Sequence, residues 1–420
     1  MSTLATVPAL QPARLEETLR RFAALSEPGP GVSRLAYTRL ERQAHDLFAS
    51  LLAELGIAAY TDAAGNTIGE LAPDAEPRPG AIGTGSHLDS VPHGGAYDGT
   101  VGVVAALAVA AAASAGPRPR HRPWRFVAFA AEEGARFGQA CNGSRIVAGL
   151  TGAADLRQLT DRTGTTMAAA MTECGLAPER VETARWDPRD WRAFVELHVE
   201  QGTVLEHRRV PVGVVDTVSG STRLRVCLTG VASHTGGTPM DNRRDALAAA
   251  AECVLDCERL AVAATDVNTR ITVGALTVEP GAITIIPGRV VFTVDVRETD
   301  YGRQRAAAHA VGQRCRTVAA RRGVDVEVEE LADTPPVSLS REVAAVAHAA
   351  ATALGLPAEV LASGASHDTQ QISRLMPAGI VFVPSRGGLS HSPGEFSTAD
   401  QVAAGAAVLL ETMYRLDATA

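Results

Sequence analysis

Residues 81–133 read AIGTGSHLDSVPHGGAYDGTVGVVAALAVAAAASAGPRPRHRPWRFVAFAAEE, and this stretch decides the fold. Its opening, Ala81-Ile82-Gly83-Thr84-Gly85, runs as a strand into a loop. The Ala- and Val-rich run after Gly99 supplies a helix, and its lack of polar residues predicts a buried one. At Val101 to Gly116 it falls short of the roughly 20 apolar residues that a membrane span needs. Trp124 to Ala130 (WRFVAFA) is almost wholly apolar, as a strand covered on both faces is. Strand, loop, helix and strand in that order predict an α/β domain with a mixed, largely parallel sheet and helices on its faces.

Upstream, residues 13–56 read as helices, with Leu47, Leu51, Leu52 and Leu55 at helical spacing. A hairpin is expected around Tyr60 to Leu71, with Gly65-Asn66 as the turn. The character changes near Val214. Beyond it come strands at Thr222 to Leu228, Ile271 to Val278, Val290 to Val296 and Val324 to Leu331, with helices at Asp245 to Ala264 and Arg303 to Arg322. After Asp333-Thr334-Pro335-Pro336 helical and strand patterns return, including Gly379 to Val383 (GIVFV). A small α+β domain, residues 215–333, is therefore expected as an insert in a larger one, residues 1–214 with 334–420.

The chain has 420 residues and a formal charge of −8, and all 39 of its basic residues are Arg. The absence of Lys excludes Schiff-base chemistry and the P-loop. The acidic balance argues against nucleic acid as a partner, and no stretch calls for a membrane. Six cysteines, with no CxxC among them, read as reduced thiols. Met1 to Leu19 carries acids and arginines and lacks the pattern of a secretory leader, so a cytoplasmic location is expected.

The chemistry-bearing residues gather at the trailing ends of predicted strands, the edge where α/β sheets build sites. His87 follows the first strand, with Asp89 placed to fold back on its imidazole and fix the tautomer. Asp98 lies between glycines at the opening of a helix, where a carboxylate can bridge two cations. Glu132-Glu133 ends WRFVAFA. Adjacent buried carboxylates repel unless their tasks differ, one binding metal while the other accepts a proton from water. His198 follows a strand-like segment in ELHVEQG, and His391 follows GIVFV in GLSHSP. Taken together, imidazoles and carboxylates in this pattern suit a two-metal hydrolytic centre. No cysteine is expected near these loops.

GSHLDSVPHGGAYDG, EEGARFG, HVEQG, SHTGGTPMDNRRDAL and LSHSPGE resemble, in order and spacing, the amidase/hydantoinase/carbamoylase family of metal-dependent amidohydrolases. The resemblance spans about residues 80 to 400. It implies two divalent metal ions per subunit, zinc or manganese, cobalt or nickel. Asp98 would bridge them, with His87 and His198 on one and Glu133 and His391 on the other. Glu132 would be the general base. Gln201, Arg297 and Thr284 would contact substrate, Arg297 by clamping a carboxylate. His234 would stabilise the oxyanion, from the partner subunit in dimeric relatives. The inserted domain would be a ferredoxin-like lid and dimerisation domain, and a homodimer follows. His198 replaces an acid found in related peptidases, which resembles the amidohydrolase branch.

Two positions depart from the family pattern. Thr284 stands where the family has Asn, and Gly364-Ala365-Ser366-His367-Asp368-Thr369 keeps only the His-Asp pair of a later segment. Both bear on substrate and leave the metal chemistry intact. The expected activity is hydrolysis of a linear C–N bond in an N-carbamoyl amino acid or an allantoate-like ureide. An aminoacylase or dipeptidase is the alternative, and a silent binding protein on the same scaffold a third.

Overall fold

The computed structural model describes residues 10–264, 266 and 268–419. Of the N-terminal stretch Met1 to Leu19, residues 1–9 lie outside the described residues. The chain divides into two compact units, one running to Asp216 and resuming at Leu339, the other Thr217–Ser338.

In chain order the first unit begins with α1 (Pro12–Ala23), α2 (Arg39–Glu54), β1 (Ala59–Thr61), β2 (Thr67–Leu71), β3 (Ala81–His87), α3 (Thr100–Ala115) and β4 (Trp124–Phe129). Three short helices follow, α4 (Asn142–Val147), α5 (Ala153–Leu156) and α6 (Met167–Glu173), then β5 (Trp191–Val199), α7 (Val204–Arg208) and β6 (Val212–Val218). The second unit holds β7 (Gly220–Thr229), β8 (Ser233–His234), α8 (Ala246–Val262), β9 (Arg270–Glu279), β10 (Ile285–Ile286), β11 (Arg289–Glu298), α9 (Tyr301–Arg322), β12 (Asp325–Thr334) and β13 (Val337–Ser338). The first unit closes with α10 (Arg341–Ala353), β14 (Ala358–Ser363), α11 (Asp368–Ile372), β15 (Ala378–Val383) and α12 (Ala399–Ala418).

Its sheet runs β1-β2-β4-β3-β5-β15-β6, with β14 also paired to β6. The central four strands, β4, β3, β5 and β15, are parallel. The flanking pairs β1–β2, β2–β4 and β15–β6 are antiparallel. The sheet is thus mixed, with a parallel centre. Alternation along each strand sends side chains to opposite faces. Trp124, Phe126 and Ala128 of β4, with Ala193, Val195 and Leu197 of β5, pack against α1, α2, α3 and α12. Val127, Phe129 and Phe194 face the other way, onto α4, α6 and Ile372 of α11. Both faces are covered, which explains why β3 is buried along its whole length. Helix α3, buried at 13 of its 16 residues, lies against β3, β5 and α12. No helix among the described residues is long and apolar enough to cross a membrane.

In the second unit, β12-β7-β11-β9 form an antiparallel sheet. The order β7-α8-β9-β11-α9-β12 is the βαββαβ arrangement of ferredoxin-like domains. Val226, Leu228, Phe292 and Val294 pack against Cys253 and Cys257 of α8 and Val311 and Cys315 of α9. The ends of the unit meet where Val337–Ser338 pairs with Thr217–Val218.

Candidate metal centre

The loops that leave the carboxyl ends of the four parallel strands carry the site. His87 is the last residue of β3, and His198 the penultimate residue of β5. Glu132 and Glu133 follow β4, and His391 follows β15 after a Gly-rich turn. Asp98 sits just before Gly99, the N-cap of α3. Gly99 has φ +61°, and a Cβ there would lie 2.4 Å from the His87 ring. Only glycine lets the chain turn this close to the imidazole.

Asp98 is the hub. Its Oδ1 lies 3.1 Å from His198 Nε2 and 3.6 Å from His87 Nε2. Its Oδ2 lies 3.3 Å from His391 Nε2, which is itself 3.1 Å from Glu133 Oε1. Two groups of potential metal ligands therefore share Asp98: His87 with His198, and Glu133 with His391. The first three of these residues and Glu133 are buried, whereas His391 is half exposed.

The donor chemistry fits cations. His87 Nδ1 lies 3.1 Å from the Asp89 carbonyl and His198 Nδ1 lies 2.9 Å from the Val199 carbonyl. Each Nδ1 therefore carries the proton it donates, and each Nε2 turns a lone pair toward carboxylate oxygen. Gly99 N–H donates to His198 Nε2 at 3.2 Å, as a bare nitrogen allows. Lone pairs facing anionic oxygens repel unless positive charge stands between them. Protons are the other source of that charge: burial works to lower His87 and His198, but the facing carboxylates raise both. Burial works to raise Asp98, but the imidazoles of His198, His391 and His87 hold it well below the usual carboxylate range. Asp98 and Glu133 push His391 up to about 11.

Glu132 stands beside this arrangement without belonging to either ligand group. Its Oε2 is 3.9 Å from His87 Nε2, and its Oε1 accepts a hydrogen bond from the Cys141 thiol at 3.0 Å. Burial, reinforced by the neighbouring Glu133 charge and opposed by His87, raises it well above the ordinary carboxylate range. A buried carboxyl with its own partners and no ligand duty is suited to moving a proton.

One local expectation needs correction, and two residues make contacts beyond those expected. A cysteine does lie at the site: Cys141, nine residues after Glu132, is folded back by its left-handed backbone (φ +60°) onto Glu132. The Asp89 carboxylate does approach His87 Nδ1, at 3.5 Å, but its two oxygens accept the N–H groups of Glu132 and Glu133, both at 2.9 Å. Gln201 turns toward the hub, donating through Nε2 to Asp98 Oδ2 at 2.7 Å and to Ser390 Oγ at 3.2 Å. That nitrogen is occupied by Asp98, and the buried Oε1 has no hydrogen-bond partner among the described residues.

Other members carry no metal-ligand signature in the sequence. Ser390 donates to Asp98 Oδ2 at 2.7 Å, and Glu395 accepts from Ser390 and from the N–H groups of Tyr97 and Asp98. LSHSPGE contains both, and the signal was their closeness to His391. Glu196, His198 and His367 form a further buried group of ligand-type atoms. There Glu196 accepts from Ser86 Oγ (2.7 Å), Thr369 Oγ1 (2.7 Å) and Thr369 N (3.1 Å), so it serves as a hydrogen-bonding hub under His198.

His234, Thr284 and Arg297 belong to the second unit. His234 is paired with Ile285 on the small β8–β10 ribbon, next to Thr284, whose carbonyl accepts from Thr235 N–H. His234 Nδ1 accepts the N–H groups of Gly236 and Gly237, both at 3.0 Å. The proton must then sit on Nε2, which makes this exposed imidazole a donor at its outer end. Arg297, on β11, donates from Nε to Asp295 at 2.8 Å.

Residues 83–415 match the peptidase family M20/M25/M40. An N-carbamoyl-L-amino acid amidohydrolase of Geobacillus stearothermophilus is 40% identical over 412 residues, covering 97% of this chain and 99% of that protein. An allantoate amidohydrolase of Bacillus subtilis is 32% identical, covering 95% of this chain and 96% of its own. A crystal structure of a hydantoinase/carbamoylase family amidase from Burkholderia multivorans superposes with a TM-score of 0.86 at 31% identity, over 97% of this chain and 98% of that one. With its parallel strand ends converging on Asp98, the chain belongs to the peptidase family M20/M25/M40.

Proposed function

We propose that this protein hydrolyses a linear C–N bond of a ureide, an N-carbamoyl-L-amino acid or an allantoate-like compound. The observation that carries the reading is the pair of ligand groups sharing Asp98, with Glu132 beside both and part of neither. The activities named for the Geobacillus and Bacillus relatives support it.

His87 and His198 would hold one divalent ion, Glu133 and His391 a second, and Asp98 both. Zinc, manganese, cobalt or nickel suits such ligands. Ions held by these residues would supply polarisation of the scissile carbonyl and a lowered pKa for water. Glu132 takes the proton from the attacking water and delivers it to the leaving nitrogen. Gln201 and Ser390 hold the Asp98 carboxylate in place from its Oδ2 side. His234 donates from Nε2 to the developing oxyanion, a task matched by the proton position that Gly236 and Gly237 impose. Arg297, Thr284 and, through its Oε1, Gln201 contact the substrate. The reading extends to a cytoplasmic homodimer with residues 217–338 as lid and dimerisation unit.

The test is a substrate panel with added divalent metal: N-carbamoyl-L-amino acids, allantoate, ureidoglycolate, N-acetyl amino acids and dipeptides. Turnover confined to the first three is expected. Efficient turnover of the acetyl compounds or peptides alone would replace the reading with an aminoacylase or dipeptidase.

A further inference from the structure

The turn that presents Glu132 and Glu133 is held from outside the site. Pairing of β4 with β3 ends at Phe129, so the N–H groups of residues 130–133 lie beyond the ladder. Buried and unpaired, each would be costly. Four side-chain acceptors take them in succession. Asn66 Oδ1 accepts from Ala130 at 3.0 Å, Glu41 Oε1 from Ala131 at 2.7 Å, and the two Asp89 oxygens from Glu132 and Glu133. The carbonyls are fixed as well, Ala130 by Gly143 N–H, Ala131 by Asn142 and Glu132 by Cys141 N–H. Gly143 is required for this approach, because a Cβ there would stand 2.2 Å from Asn66 Oδ1.

The residue between strand and carboxylates, Ala131, has φ +55°. A left-handed backbone is strained for an alanine, and it stays there only when neighbours hold it. The hydrogen bond to its N–H comes from Glu41, on α2 and 90 residues away in sequence. Glu41 is fully buried. Its other oxygen, Oε2, accepts from Tyr37 N–H at 2.5 Å and so serves the start of α2. One oxygen caps a helix, and the other reaches across to the catalytic turn.

We propose that Glu41 is a positioning residue for the reaction: its Oε1 fixes the left-handed turn at Ala131 from which the adjacent Glu132 is aimed, while Asp89 holds Glu133. The proposal rests on the reading of Glu132 as general base. Asp89 cannot be tested cleanly for the same role, since it also touches His87. Glu41 touches no proposed ligand.

Glu41→Gln is nearly isosteric but offers a single acceptor oxygen to two N–H donors, so Ala131 or Tyr37 loses its partner. A small displacement of a reacting group costs on the order of 10²-fold in rate. The expected result is a fall in kcat of about 10- to 100-fold, with KM, metal content and the folded far-UV spectrum retained. In a Glu132→Gln background the same substitution should change the residual kcat less than about 2-fold, because the base it positions is already gone. Wild-type kcat in Glu41→Gln would overturn the proposal, as would an equal loss in both backgrounds. If Glu41→Gln does not fold, Glu41→Asp, which keeps a carboxyl group but withdraws it from Ala131, is read in the same way. Loss of the fold in both variants would also overturn it, by making Glu41 a support of the whole unit. Full activity in Glu132→Gln alone would instead refute the general-base reading on which the proposal rests.

Discussion

Glu132→Gln separates proton transfer from metal binding. The amide has the same size, and its oxygen can still accept from the Cys141 thiol that holds Oε1 at 3.0 Å. What changes is the Oε2 side, 3.9 Å from His87 Nε2, where a basic oxygen gives way to one without proton affinity. No ligand is removed, since neither group around Asp98 includes Glu132. General-base catalysis contributes about 10²–10⁴-fold, which at ~1.36 kcal/mol per decade is roughly 2.7–5.4 kcal/mol of barrier. The assay is steady-state turnover of the best ureide beside metal analysis of the same preparation. The expected outcome is a kcat loss in that range with unchanged metal stoichiometry. Loss of metal together with activity would mean that Glu132 and Glu133 have been exchanged. Unchanged kcat would mean that the base lies elsewhere.

Asp98→Ala should weaken both metal sites together, whereas His391→Ala should weaken one; metal titration by calorimetry distinguishes one transition lost from two. His234→Ala should lower kcat far more than it raises KM, with metals still bound, because an oxyanion donor acts in the transition state. If His234 serves the partner subunit, mixing inactive His234→Ala and Glu132→Gln chains restores turnover; no recovery despite proven subunit exchange would mean that His234 acts within its own chain or not at all. Burial and the Asp89 charge push the Glu41 carboxyl up to about 8, against Arg42 and its two amide donors. A group whose pKa is raised on folding binds more protons folded than unfolded, so stability falls as pH rises from about 4.5 to 8. Relative to Glu41→Gln, the unsubstituted protein should lose stability progressively across that window, by on the order of 1 kcal/mol per pH unit at most, measured by urea unfolding.

The parallel centre of the sheet was legible because strands covered on both faces must be apolar on both. WRFVAFA shows this directly, and Trp124 to Phe129 is β4. The hairpin at Gly65-Asn66 and the inserted strands and helices were legible from turn chemistry and alternation. His87, Asp98, Glu132, Glu133, His198 and His391 could be singled out because chemistry-bearing residues at strand ends have few structural reasons to be there. The supports of those residues could not. Glu41 reaches Ala131 across 90 residues, and Asp89 reaches Glu132 across 43, each through a backbone N–H that any residue supplies. A bond to a backbone amide leaves no residue type to read on the receiving side. Cys141 was hidden for another reason. Its approach to Glu132 depends on a left-handed backbone at a residue other than glycine, which composition does not announce. Gln201 could be placed in the site from HVEQG, but its direction depends on φ +57° at that residue.

The most direct measurement is metal titration of the metal-free enzyme, following hydrolysis of an N-carbamoyl-L-amino acid or allantoate while bound metal is counted. Two ligand groups that share Asp98 predict that turnover rises to a plateau at two divalent ions per chain and vanishes on chelation. Full turnover in metal-free protein, or a plateau at one ion with no second site detectable, would contradict a two-metal ureide hydrolase.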